Sequence, residues 1–76
     1  MGILEDIADQ LAVETIGIIE KTGDDSIIRR VADALGGSSQ TMEEAYLTAC
    51  RVRRAEVRAR AMLAQYKAQA RRPADE

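Results

Sequence analysis

Three stretches of this chain carry apolar residues at helical spacing, and glycine-containing breaks separate them. In residues 3–20, Ile3, Leu4, Ile7, Ala8, Leu11, Ala12, Ile18 and Ile19 fall on one broad face at about 100° per residue. Glu5, Asp6, Asp9 and Glu20 point the other way, and the early acids suit the positive end of a helix dipole. Val13 and Ile16 fall outside that face, beside Gly17: they read either as stray surface hydrophobes or as a second contact surface that Gly17 lets approach closely. Thr22-Gly23-Asp24-Asp25 breaks the periodicity: Gly23 fits a C-cap, and Asp24 or Asp25 fits the N-cap of the next helix. Residues 25–35 then place Ile27, Ile28, Val31, Ala32, Ala34 and Leu35 on one side. Gly36-Gly37 ends that segment.

Thr41-Met42-Glu43-Glu44 reads as a capping box, with the Thr41 hydroxyl on one amide and the Glu44 carboxylate returning to another. No helix breaker follows until Pro73, so the third helix is predicted over 42–70, roughly 43 Å long. Laid end to end, the two shorter helices would cover it. This third segment has two apolar series. One is Leu47, Cys50, Arg54, Val57, Ala61, Ala64 and Ala68; the other is Ala45, Val52, Ala59 and Tyr66, joined by Ala49, Ala55, Met62 and Leu63. Two stripes on one helix require two neighbours, and a second copy of the chain is the simplest second neighbour. The sequence therefore predicts an all-α fold: three helices, the two shorter packed along the long third, in one domain over residues 1–72 with a polar tail at 73–76. A helical-bundle homodimer is expected, with Leu47, Cys50, Val57, Ala61, Ala64 and Ala68 as its self-association residues.

Composition strengthens the case for association. There is no Trp or Phe, and 13 of the apolar residues are alanines, so a lone chain of 76 residues has little to bury. The single cysteine, Cys50, rules out an intrachain disulfide. It reads as a small buried hydrophobe, with a thiol made reactive by nearby arginines as the alternative. No uncharged run approaches the ~20 residues of a membrane span. The initial Met-Gly lacks the Ser or Thr that a myristoylation signal wants, because Asp6 stands there. A cytoplasmic protein with no membrane association is expected.

Charge is segregated. Residues 1–44 hold ten acids and three bases, net −7, and residues 45–72 hold eight bases and Glu56, net +7. Such a split is neutralised within one chain, between chains, or by an external anion. Five arginines in ten residues, Arg51, Arg53, Arg54, Arg58 and Arg60, form the stretch with most functional character. They spread around the helix, and no Asn, Gln or aromatic base reader stands among them. Chemistry is poorly supplied otherwise: no histidine for acid–base work, no metal set built from His and Cys, no phosphate loop and no cofactor motif. The expectation is a small non-enzymatic interaction protein, a regulator, inhibitor or adaptor, binding a partner protein as a homodimer. Its partner-facing candidates are Val13, Ile16 and the five arginines. Two alternatives stand beside it: a nucleic-acid-associated regulator using residues 51–60, and a structural subunit of a larger assembly.

Overall fold

The structure, a computed structural model, describes residues 2–71 and contains three helices: α1 (Ile3–Thr22), α2 (Ser26–Gly36) and α3 (Gln40–Ala70). The tail expected at 73–76 lies outside the described residues. Local chemistry explains each boundary. Gly23 ends α1 at φ 74°, a left-handed conformation that glycine adopts without a Cβ penalty, and its amide donates to the Ile19 carbonyl at 2.7 Å. Asp25 takes the N-cap position of α2, but Asp24 supplies the hydrogen bonds: its Oδ1 accepts from the Ser26 amide at 3.0 Å and the Ser26 hydroxyl at 2.6 Å.

The start of α3 differs from the capping box expected at Thr41. After Gly37, the amides of Ser38 and Ser39 both donate to the Leu35 carbonyl, at 3.0 and 2.8 Å. That tight exit leaves Ser39 extended, at φ −154° and ψ 109°, with its Oγ accepting the Met42 amide at 3.1 Å. Ser39 is the cap, and Thr41 lies inside the first turn.

The arrangement of the helices also departs from the end-to-end layout. Asp9 meets Arg53, and Ile16 and Glu20 lie near Val57, so α1 runs alongside α3 in the same direction. Asp25 meets Arg54 while Arg29 meets Glu43, so α2 runs back antiparallel. Both short helices therefore flank the first half of α3. The result is a slab, 60 × 30 × 13 Å, with a radius of gyration of 16.6 Å. A compact domain of this length has a radius near ~11 Å.

The core is small: Ala12, Ala32, Tyr46 and Cys50, with Leu11, Ile28, Val31, Leu35, Leu47 and Ala49 packed at its edges. α1 approaches through its small residues, Ala8, Ala12 and Thr15, which lets two backbones come close. Its large aliphatics consequently sit at the rim: Ile3, Ile7 and Ile18, expected on the core face, are 77%, 37% and 46% exposed.

One buried polar chain ties α1 to α3. Thr15 Oγ1 donates to the Leu11 carbonyl at 2.8 Å and lies 2.8 Å from the Tyr46 hydroxyl. Threonine has one hydroxyl proton, and it is committed to Leu11, so Tyr46 donates to Thr15. Thr15→Val is expected to strand the Tyr46 hydroxyl and cost about 1–3 kcal/mol, whereas Tyr46→Phe removes both needs at once and costs about 1 kcal/mol or less. Urea unfolding of the two variants checks the order. The same measurement separates the caps: Ser39→Ala should cost about 1 kcal/mol, and Thr41→Ala close to nothing.

Candidate interaction surface

Because α1 and α2 flank only the start of α3, every residue from Val57 to Ala70 is exposed, although all are helical. This exposed length is roughly 21 Å. Val57, Met62, Leu63 and Tyr66 within it are 45%, 58%, 57% and 61% exposed. The segment 57–71 also carries Arg58, Arg60, Lys67 and Arg71 and no acid.

The two apolar series of α3 have different fates. Leu47 and Cys50 of the first series are consumed inside the chain, Cys50 at 2% exposure. Within the single chain Cys50 is a core residue and Leu47 packs at the core edge, so neither lies on an open face. Val57 edges the seam with α1, and Ala61, Ala64 and Ala68 continue that series after it; all four are exposed. The second series lies largely opposite Tyr46 and Cys50; Ala49 packs at the core edge, and the sector is open from Thr48 onward. Placed at about 100° per residue, Ala45, Thr48, Val52, Ala55, Ala59, Met62 and Tyr66 recur at alternating steps of three and four. Leu63 and Ala70 border them, and no charged residue from 45 to 70 enters that sector. Ala45 is half-buried and the others are exposed.

An open groove of about 400 Å³ adjoins the early end of this stripe, between the start of α1 and α3. Leu4, Ala8, Ala45 and Thr48 floor it, and Glu5 and Glu44 stand on its rim. Glu5 Oε1 accepts the Gly2 amide at 3.0 Å, and its carboxyl is held below the usual range by its own and the Gly2 backbone amides.

The arginines divide into two groups. Arg53 reaches Asp9 through two hydrogen bonds, Nε to Oδ1 at 2.7 Å and Nη2 to Oδ2 at 2.5 Å, and Glu56 through Nη1 at 3.0 Å. Arg60 Nε donates to Glu56 at 2.8 Å, and Arg54 lies 3.7 Å from Asp25. Among the described residues, Arg51 and Arg58 make no ion pair. The network lowers the Asp9 carboxyl, chiefly through the Arg53 hydrogen bond, and the Glu56 carboxyl, chiefly through Arg60 and then Arg53. It also holds Arg53 more firmly in its charged form, Asp9 contributing most.

Val13 and Ile16 are placed differently from each other. Ile16 is half-buried and, with Gly17, Arg53 and Val57, lines the seam between α1 and α3. Val13 is 48% exposed on the rim of that seam. Ile16 therefore contributes to a contact within the chain, while Val13 remains exposed beside it. At Cys50, burial outweighs Arg54 and Arg51 and pushes the thiol pKa up, so it stays protonated at neutral pH. Burial likewise pushes Tyr46 up to about 12.

Among the described residues, no helix is long and apolar enough to cross a membrane, and no three His, Cys, Asp or Glu side chains gather as a metal cluster. Comparison of the chain with protein-family models, with curated proteins and with solved structures finds no match in any of the three.

The Asp9–Arg53 pair sets a pH dependence. A carboxyl depressed in the folded state contributes stability above its unfolded pKa, near the ordinary 3.8, and loses it as pH falls through the lower folded value. Asp9→Asn should therefore flatten the loss of melting temperature below about pH 4 while leaving the shape of the curve above pH 5 unchanged. Thermal melts from pH 2 to 7 measure this directly.

Proposed function

We propose that this chain is a small non-enzymatic interaction protein, a regulator, inhibitor or adaptor, that acts by binding protein through α3 and self-associates as a homodimer. One observation carries the reading: a helical segment with every residue from 57 to 70 exposed bears four large apolar side chains. An isolated helix of about that length is marginal in water, and neighbours normally supply its stability. The surface area points the same way. The chain exposes 5867 Å². A compact monomer of its mass exposes roughly 4,600 Å². The excess on one chain, roughly 1,300 Å², is more than the ~800 Å² that each partner of a standard interface buries.

A nucleic-acid role for residues 51–60 draws less support. Arg53, Arg54 and Arg60 already face acids of the same chain. Arg51 and Arg58 alone would give a salt slope of about −2, that of a weak and non-specific binder.

A photo-crosslinking amino acid in place of Met62 or Tyr66, activated in the cells that make the protein, tests the reading. Adducts to protein are expected, whether to a second copy or to another chain. Introducing Val52→Asp on the same stripe should abolish them. Adducts to nucleic acid alone, or none, would overturn it.

A further inference from the structure

We propose that the occupant of the open stripe on α3 is a second copy of the chain laid antiparallel, so that Tyr66 of each copy seats in the other's groove between the start of α1 and α3. This deepens the preceding reading and rests on α3 being the association element.

Three observations select this arrangement. The first is shape. The stripe carries its bulk late, at Met62 and Tyr66, and its small residues early, at Ala45, Thr48 and Ala55. A parallel pairing in register would set Tyr66 on Tyr66 and Ala59 on Ala59, crowding one level and leaving a gap at the next. Reversing one helix sets Tyr66 on Thr48 and Met62 on Val52, larger against smaller, and meets Ala59 on Ala55 at the centre, where the two helices approach closely. These pairs also satisfy the rule that antiparallel helices match the two seam positions of the three–four repeat to each other.

The second is the receiving surface. The groove beside Thr48, about 400 Å³, is floored by Leu4, Ala8 and Ala45 and open to solvent. It lies where the reversed helix delivers Tyr66, which is 61% exposed in the single chain. A tyrosine that buries its ring at a wet-rimmed groove and keeps its hydroxyl near threonines is a favourable anchor.

The third is charge. The segment 57–71 has four bases and no acid, and the rim of the groove has Glu5 and Glu44. Reversal brings Lys67 and Arg71 of one copy to that rim, and it opposes the helix dipoles. A parallel dimer would set the acidic body, net −7 over residues 1–44, beside its own copy. Two like-charge approaches occur at the antiparallel centre. Glu56 to Glu56 is already neutralised by Arg53 and Arg60. Arg58 to Arg58 has Glu20 in the same groove.

Sedimentation equilibrium of the wild-type chain, followed by disulfide trapping, tests the proposal. In a Cys50→Ala background, one variant carries Thr48→Cys and another Tyr66→Cys. A dimer by mass is expected, with Tyr66→Glu weakening association on the order of thirtyfold or more. A mixture of the two cysteine variants should cross-link under mild oxidation, while each alone should not. Cross-linking of the Tyr66→Cys variant with itself would mean a parallel dimer and overturn the arrangement, leaving α3 as the association element. A wild-type chain that stays monomeric up to about millimolar concentration (weaker than ~4 kcal/mol of association) would overturn the second copy as occupant. Protein adducts at positions 62 and 66 would then belong to a different chain.

Discussion

A helix of 31 residues presents roughly 46 Å of side chain, and the helices beside it here reach along only its first half. That mismatch of length governs the rest of the structure. The short loop Gly37-Ser38-Ser39 folds α2 back on α3, and the break at Gly23 folds α1 back on α2. Both short helices must then share one stretch of α3. Had they been laid in line, the long helix would have been covered and the core would have been a thin seam. Side by side, they produce one local core around Tyr46 and an unflanked remainder.

The acidic residues serve two settings at once. Asp9 and Asp25 hold arginines across helix boundaries, and Glu56 bridges two arginines of its own helix. These are exposed or half-exposed pairs, individually weak, and their larger effect is on specificity. They neutralise Arg53, Arg54 and Arg60, leaving Arg51 and Arg58 unpaired among the described residues and no acid on α3 beyond Glu56. The segregation of charge along the sequence therefore survives folding in reduced form, as a gradient along the long axis.

Helical periodicity, glycine breaks and the charge split were legible in the residues, and they place all three helices to within two residues at each end. The cap of α3 was not, because Ser39 and Thr41 are both competent caps and the exit geometry of α2 decides between them. On α1 the expected Ala8, Leu11 and Ala12 pack inward, but Ile3, Ile7 and Ile18 stay exposed and Thr15 joins the buried face. Close approach of two backbones favours small residues such as Ala8, Ala12 and Thr15 over large isoleucines, and apolar size alone cannot signal that. The fate of the two α3 stripes depended on which one α1 and α2 chose. The absence of charge from one sector over residues 45–70 was a usable signal, since a face that packs against the chain's own helices tolerated Arg53 and Arg54 at its edges. The Thr15–Tyr46 bond spans 31 residues and had no local signature.

A slab 13 Å thick has almost no interior. Besides Thr15, only Ala8, Ala12, Ala32, Tyr46 and Cys50 are buried among the described residues, and three of these are alanines. Few positions are thus held to one side chain by packing, and most substitutions in a single chain meet solvent instead of a neighbour. Such a fold is permissive to drift. Selection on it would act mainly through the faces it shows to other molecules, with stability constraining only a handful of sites.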